Sequence, residues 1–195
     1  MKLRYSFYTA IICLLLLTGA CNSPDVIHDL SDASFPLVNQ DSSSVHFPRD
    51  YKGKLLVVGF IYTNCPDVCT IISANMGNIS KELGPNEDVH FVEITFDPKR
   101  DTPSVLKQYA KNFNLDSEEF TLLTGEPSVV DSLLNLMDIQ AEVSYTQTTD
   151  EGRELYFMNH TNRILIMDRK GRVRIEYPGS VVPPDYLIED LQKLL

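Results

Sequence analysis

Residues 55–69 read LLVVGFIYTNCPDVC, and this stretch decides both the fold class and the chemistry of the chain. Its first half is a nearly continuous run of Val, Leu, Ile and Phe, typical of a β-strand that is covered on both faces. Cys65 and Cys69 follow directly, where apolar residues begin to recur at helical spacing over residues 66–83. We therefore expect two thiols at the point where a buried strand passes into a helix.

Strand and helix patterns alternate along the rest of the chain. Strands are predicted at residues 35–39, 54–62, 89–96 and 120–123, helices at 66–83, 103–113 and 127–137, then a hairpin at 163–168 and 173–177 and a closing helix at 185–195. This order predicts an α/β domain with a central mixed sheet flanked by helices and an added hairpin, similar to the thioredoxin fold. Such sheets bind ligands beyond the carboxyl ends of their strands, where both cysteines would lie.

The amino terminus has the features of a bacterial export signal. Lys2 and Arg4 make a basic start, and the apolar run 11–17 that follows is too short to span a bilayer. Small residues directly before Cys21 resemble the lipobox of lipoproteins, although Thr18 stands where that pattern usually has Leu. We expect Cys21 to carry lipid after the leader is removed. Ordinary cleavage at the same place, leaving a free thiol, is the alternative.

These features divide the chain into three parts. Residues 1–20 are expected to be the signal peptide, 21–33 a flexible lipid-anchored tether, and 34–195 one folded domain of ordinary size. The domain would then be exported and held at a bacterial membrane, where it would face the periplasm or the cell exterior.

The charge of the chain excludes some classes of partner. It carries 17 Lys and Arg against 27 Asp and Glu, a net charge of −10. Loss of Lys2 and Arg4 with the leader brings the net charge to −12. An anion without a basic stripe is unsuited to bind nucleic acid or to adsorb on anionic lipid. Membrane attachment would therefore depend on the lipid at Cys21.

Only two of the four cysteines remain available for chemistry. Cys13 would leave with the leader and Cys21 would carry lipid, so Cys65 and Cys69 are expected to be oxidised or metal-bound outside the cytosol. Four residues apart on a helix, they would share one face near the helix amino terminus, whose partial positive charge favours thiolate. A purely structural disulfide is the weaker alternative, because closing so short a loop removes little chain entropy.

His160 is the histidine best placed to join this pair. The other three have simpler roles: His28 in the tether, His46 in a polar segment and His90 in a buried strand. His160 stands in a predicted loop just before strand 163–168, and in a thioredoxin-like layout this loop meets the cysteines. Two thiols and an imidazole form a soft ligand set that suits copper, whereas zinc would want a fourth ligand.

Four motifs then resemble those of the Sco/SenC family, copper proteins that help to assemble cytochrome c oxidase. Residues 63–69 (TNCPDVC) look like the family signature, and residues 96–103 (FDPKRDTP) look like its second motif. The turn at 123–125 (LTG) also fits, as does His160 followed by a strand that ends at 166–168 (IMD). The motifs come in the family's order, and the likeness covers the chain from about residue 35 to the end.

The resemblance implies the roles of three residues. Cys65, Cys69 and His160 match the family's copper ligands, so we expect one copper ion per chain, as Cu(I) or Cu(II). The two cysteines would also form a redox-active pair that becomes a disulfide when oxidised.

The chain departs from the family pattern at two positions near these ligands. Asn159 replaces an aspartate often found there, which could orient or charge the imidazole, and Thr70 replaces a proline. Asp97 is a second candidate neighbour of the site, but the prolines beside Asp97 and Asp101 favour simpler roles for both, as turn and helix-cap residues.

The leading hypothesis is a copper metallochaperone and not a classical enzyme. The resemblance implies that it delivers or matures copper at the dinuclear site of cytochrome c oxidase subunit II. The first alternative is a thiol–disulfide oxidoreductase that keeps a partner's cysteines reduced. Against this stand the three-residue spacing of the cysteines, where thioredoxin-type enzymes have two, and the lack of a proline between Pro127 and Pro178. The second alternative is a redox- or copper-sensing lipoprotein.

Overall fold

The computed structural model describes residues 24–152 and 154–195, so the predicted leader and Cys21 lie outside the described residues. The strands are β1 (His28–Asp29), β2 (Phe35–Asn39), β3 (Ser44–Phe47), β4 (Leu55–Ile61), β5 (Val89–Thr95), β6 (Phe120–Thr124), β7 (Ala141–Thr148), β8 (Glu154–His160), β9 (Arg163–Met167) and β10 (Arg172–Pro178). The helices are α1 (Val68–Leu83), α2 (Pro103–Asn112), α3 (Pro127–Leu136) and α4 (Pro184–Leu194). None of these described helices has the length and apolar character needed to cross a bilayer.

Eight strands form one sheet in the order β1-β10-β9-β4-β5-β6-β2-β3. Strands β4, β5 and β6 are parallel, whereas β9 runs antiparallel to β4 and β2 antiparallel to β6. All seven residues of β4 and all seven of β5 are buried, as their apolar sequences predict. The predicted α/β class, with a central mixed sheet flanked by helices, is confirmed.

The register of the central strands brings three segments to one edge of the sheet. The carboxyl ends of β4 and β5 lie side by side, with Ile61 opposite Thr95. Strand β9 enters beside them from the other direction, with Ile164 opposite Gly59. The residues that follow β4, those that follow β5 and those that precede β9 therefore meet at this edge.

Helix α1 packs closely on β4 at Gly59. A Cβ atom on Gly59 would lie 2.6 Å from Met76 Sδ and 3.1 Å from Ile72 Cγ2, so only glycine lets the helix approach this closely. Cys69 belongs to the same buried face of α1 as Ile72 and Met76. The packing that holds the helix on the sheet thus also fixes one of the two thiols.

Residues 141–160 form a second, two-stranded sheet of β7 and β8, which the sequence did not lead us to expect. Most of this hairpin is exposed, so its Thr, Ser and Gln residues dilute the apolar alternation by which strands are recognised. In consequence His160 is the last residue of β8 and not, as expected, part of a loop. The hairpin predicted at 163–168 and 173–177 is present as β9 and β10.

The predicted tether at 21–33 extends too far into the fold. Strand β1 pairs with β10, the Leu30 amide donates a hydrogen bond to the Gly171 carbonyl, and the Leu30 side chain is fully buried. The few apolar residues of this segment, Val26, Ile27 and Leu30, stand among charged and polar residues without a clear strand alternation, so they did not mark this anchor. The packed part of the chain therefore begins before residue 34.

Leu30→Ala should lower the free energy of unfolding by about 2–5 kcal/mol, because it leaves a cavity in a closed core. Ile27→Ala is the matched control, since Ile27 is 46% exposed; its effect should stay within about 0.5 kcal/mol. Chemical denaturation measures both. Equal, small effects would show that residues 28–30 are a tether after all.

Candidate metal centre

Two sulfurs and one imidazole converge at the edge of the sheet. The ligand atoms of Cys65, Cys69 and His160 all lie within 4.8 Å of one another, and Cys69 Sγ is 3.7 Å from His160 Nε2. Cys69 is fully buried, Cys65 is 7% exposed and His160 is half-buried. The convergence of these side chains, expected from the sequence, is present in the structure.

The two cysteines do not share a helix, as the sequence pattern had suggested. Helix α1 begins at Val68, so Cys69 lies in its first turn and Cys65 lies in the preceding loop. The Cys65 amide donates a hydrogen bond to the Tyr62 carbonyl, which turns the chain sharply after β4. This turn, and not helical spacing, brings the Cys65 sulfur beside the Cys69 sulfur.

The His160 ring is oriented by its backbone neighbour and by two aromatic rings. Its Nδ1 donates a hydrogen bond to the Thr161 carbonyl at 3.0 Å, which turns Nε2 toward the sulfurs. The ring centroid lies 4.6 Å from that of Phe96 and 6.1 Å from that of Tyr62. The imidazole is therefore held ready to bind a cation through Nε2.

Asp101 ties the loop of Cys65 to the end of β5. Its buried carboxylate accepts hydrogen bonds from the Thr63 amide at 3.1 Å and the Thr63 hydroxyl at 2.5 Å. It also accepts one from the Thr95 hydroxyl at 2.5 Å. The expected helix-cap role of Asp101 is wrong, because α2 begins at Pro103 and this carboxylate is committed to the cysteine loop.

Asp97 makes the turn that the sequence predicts. Its carbonyl accepts hydrogen bonds from the amides of Arg100 and Asp101. Burial, and then the charge of Asp101, raise the pKa of Asp97 to about 6. Its carboxyl group is not grouped with the three ligand atoms, so Asp97 supports the turn after β5 and is not a ligand candidate.

Asn159 faces away from the centre. It is exposed on the outward side of β8, opposite Glu142, whereas His160 is turned inward. The orienting contact that we expected of Asn159 is made instead by the Thr161 carbonyl. Exchange of aspartate for asparagine at this position thus changes the charge of the outer surface and not the support of the ring.

The two thiols have opposite acidities. Hydrogen bonding from the Cys69 thiol, together with a contact to His160, lowers the pKa of Cys65 far below its usual range. The same hydrogen bond and burial raise the pKa of Cys69. The pair therefore holds one proton, on Cys69, and Cys65 is the thiolate. A thiolate is both the attacking group of thiol chemistry and a strong ligand for a soft metal.

A buried polar cluster lies behind Cys69, and the sequence gave no signal for it. The Ser73 and Tyr109 hydroxyls are 2.8 Å apart, and Tyr109 donates a hydrogen bond to the Cys69 carbonyl at 3.5 Å. Nearby Glu93 is fully buried, and burial raises its pKa to about 8, so it is neutral at pH 7. A neutral Glu93 spares the centre a second negative charge at close range.

The donor set fits a soft monovalent or divalent cation. Of all the described His, Cys, Asp and Glu residues, Cys65, Cys69 and His160 are the group whose ligand atoms lie close enough together to hold one ion. Structural zinc sites use four protein ligands, whereas two thiolates and an imidazole suit copper. The residues present thus fit the metal that the sequence predicts.

Comparisons with known proteins agree with this geometry. A family model described as SCO1/SenC matches residues 27–195. A SCO2-like protein of Rickettsia prowazekii (strain Madrid E) is 32% identical over 140 residues, which cover 71% of this chain and 64% of that protein. A SCO1 protein homolog of Bacillus subtilis (strain 168) is 28% identical over 160 residues, which cover 81% of this chain and 79% of the relative. The chain thus spans less than two thirds of the length of the Rickettsia protein.

Two solved structures share the fold. Bradyrhizobium japonicum ScoI with copper bound matches with a TM-score of 0.71 and 29% identity, over 84% of this chain and 98% of that chain. A SCO1/SenC family lipoprotein of Bacillus anthracis (strain Ames) matches with a TM-score of 0.67 and 27% identity, over 89% of this chain and 96% of that chain. The predicted thioredoxin-like fold is confirmed by this likeness.

Asp101→Asn should loosen the cysteine loop. The amide keeps one acceptor oxygen and replaces the other with a donor, so a Thr hydroxyl must reverse its hydrogen bond, and the negative charge that strengthens all three bonds is lost. We expect the free energy of unfolding to fall by about 1.5–3 kcal/mol, as for other hydrogen bonds to charged groups. Asp88→Asn is the control: Asp88 is an exposed partner of Arg169 at 3.6 Å, and its loss should cost less than about 1 kcal/mol. Equal losses in urea denaturation would remove the anchoring role of Asp101.

Proposed function

The chain belongs to the SCO1/SenC family, and on that premise we propose that it is a copper chaperone for cytochrome c oxidase. The observation that carries the proposal is the convergence of Cys65, Cys69 and His160 within 4.8 Å. A copper-bound relative of 29% identity, Bradyrhizobium japonicum ScoI, supports copper as the ion. We propose that one copper ion is held per chain and is passed to the dinuclear site of oxidase subunit II.

The chemistry of the three ligands explains how an ion can be both held and released. Cys65 is already a thiolate, so only Cys69 must lose a proton when the ion binds. The sulfurs give affinity for Cu(I), and three protein ligands leave room for an acceptor's ligand to bind before the ion departs. Copper can then move by ligand exchange without entering water as a free ion.

We also propose that the protein works at a bacterial membrane, on its outer side. The leader pattern and the small residues before Cys21 support export and lipid attachment. The 27%-identical Bacillus anthracis relative is described as a lipoprotein, which supports the same anchor here. A lipid at the amino terminus would keep the domain beside its membrane-bound acceptor.

A thiol–disulfide oxidoreductase is the second candidate function, and the closeness of the two sulfurs, within 4.8 Å of one another, favours it. The Cys65 thiolate could attack a partner's disulfide, and Cys69, which keeps its proton, could then resolve the mixed disulfide. In that reaction the partner is reduced and the pair becomes a disulfide. His160 is needed for copper but is not a reactant in this exchange, so its removal separates the two functions.

Anaerobic titration of the reduced protein with Cu(I) and Cu(II) tests the proposed ligands. Cys65→Ser and Cys69→Ser should each lose copper affinity by more than the roughly 10- to 100-fold that loss of a supporting contact costs. His160→Ala should weaken copper binding, whereas the pair should still form and break its disulfide, with a potential altered only by loss of the contact between His160 and Cys65. His46→Ala, in β3 and with 40% of its side chain exposed, is the control and should behave as the wild type.

The outcome with His160→Ala decides between the two functions. An unchanged Cu(II) affinity and visible spectrum would show that the imidazole is not a ligand. If the wild-type protein binds no copper but reduces disulfides in a partner, the oxidoreductase function would be established instead.

Copper binding should weaken in acid, beginning at a higher pH than an ordinary histidine would cause. Burial lowers the pKa of His160, but its contacts with Cys65 and with the Thr161 carbonyl outweigh burial, so the pKa is raised above its usual value. A proton on Nε2 excludes the metal, so affinity falls as pH drops through this raised pKa. Cu(II) affinity measured from about pH 8 to about pH 5 should show the loss, and His160→Ala should lack that part of it. A loss that is identical in both proteins would assign it to the thiols alone.

A further inference from the structure

The outward side of the β7–β8 hairpin is apolar. Tyr145, Leu155 and Phe157 are 55%, 42% and 44% exposed. The Tyr145 and Phe157 rings are stacked with their centroids 6.3 Å apart. The strand register pairs Tyr145 with Phe157 and Gln147 with Leu155, so these side chains share one face. Clustered exposed aromatic residues are typical of an interaction surface and not of scattered surface apolarity.

One end of this face borders the cleft beside His160, which Glu142 and Asn159 also line. Burial alternates along β8: residues 155, 157 and 159 are exposed, whereas residues 156, 158 and 160 are buried or half-buried. Asn159, opposite Glu142, ends the exposed row next to His160. We call the outward-facing set the outer stripe, which consists of Glu142, Tyr145, Leu155, Phe157 and Asn159.

The negative charges around the outer stripe favour a partner with basic side chains. The hairpin, residues 141–160, has four acidic residues and one basic residue. Asp131 and Glu142 also line the cleft that opens beside His160. With a net charge of −10, the chain would be repelled by a second copy of itself and by an anionic lipid surface. A protein surface with an apolar centre and basic borders complements the stripe in both respects.

We propose that the outer stripe is the docking surface for the protein that receives copper, and that this acceptor presents an apolar patch bordered by basic side chains. The inference rests on the proposed function, since it assumes that copper is passed on. Transfer requires the acceptor's ligands to come within bonding reach of the sulfurs. A partner seated on the stripe would lie at the rim of the cleft beside His160, from which its ligands could approach the sulfurs around the end of β8.

The test compares two double variants. Tyr145→Ser with Phe157→Ser removes the stacked rings of the stripe. Val26→Ser with Ile27→Ser is the control, because these residues are similarly exposed, at 43% and 46%. The Ile27 amide donates a hydrogen bond to Val173, which lies at the opposite end of β10 from the residues that pair with the start of β9. Both proteins should keep wild-type copper affinity, measured by competition with a chromophoric chelator. Copper transfer to the soluble copper-binding domain of subunit II should slow roughly tenfold or more in the stripe variant alone.

The outcomes separate this surface from the proposed function. If the stripe variant transfers copper as fast as the wild type does, the proposed docking surface is overturned and the chaperone role stays intact. A wild-type protein that binds copper but passes none to the subunit overturns the proposed acceptor, and the surface with it.

A charge variant keeps the proposal testable if the double variant disturbs the hairpin. Glu142→Gln preserves shape and removes one acidic group at the end of the stripe. Its transfer rate at low salt should fall, and its decline with added salt should be shallower than that of the wild type. A rate and a salt dependence that both equal those of the wild type would overturn the proposal.

Discussion

The parallel pairing of β4 with β5 is the constraint on which the centre depends. Ile61 and Thr95 end these strands side by side, so the loop that carries Cys65 and the loop that carries Asp101 emerge together. Asp101 then joins them through Thr63 and Thr95. A buried carboxylate is stabilised by the hydrogen bonds that it accepts. The Thr63 and Thr95 donors therefore stabilise the Asp101 carboxylate, and that carboxylate in turn fixes the cysteine loop. The geometry of the thiols is a consequence of strand register and not of the cysteine motif by itself.

The centre combines burial with reactivity, and its hydrogen bonds reconcile the two. The hydrogen bond from the Cys69 thiol to Cys65, and then the cost of burying a thiolate, raise the pKa of Cys69. The Cys65 sulfur escapes that cost through its contacts with the Cys69 thiol and His160. The neutral state of Glu93 acts in the same direction, since an additional buried charge would oppose both the thiolate and its ligand role.

The elements that could be predicted are those marked by a local pattern in the sequence. The nearly continuous apolar sequences of residues 54–62 and 89–96 predicted β4 and β5. The family motifs identified the two cysteines and His160. Sequence reasoning missed β7 and β8, because an exposed hairpin needs few apolar residues, although two strand-like runs around Asp150, Glu151 and Gly152 were a usable signal. The partners of Asp101 lie 38 and 6 residues away, and no spacing rule connects Asp101 with Thr63. Likewise, the inward turn of His160 and the outward turn of Asn159 follow from a strand that was not predicted.

The ligands come from two mechanically distinct parts of the fold. Cys65 lies in the loop between β4 and α1, and Cys69 lies in the first turn of α1, which packs against the main sheet at Gly59. His160 ends a separate two-stranded sheet, whose contacts with the body include Arg100, stacked 3.4 Å above the Tyr156 ring, and Phe96 against the imidazole. A hairpin held by side-chain contacts moves at lower cost than a central strand, so the imidazole can shift relative to the two sulfurs without disruption of the core. The strand that carries His160 is also the strand that meets the solvent.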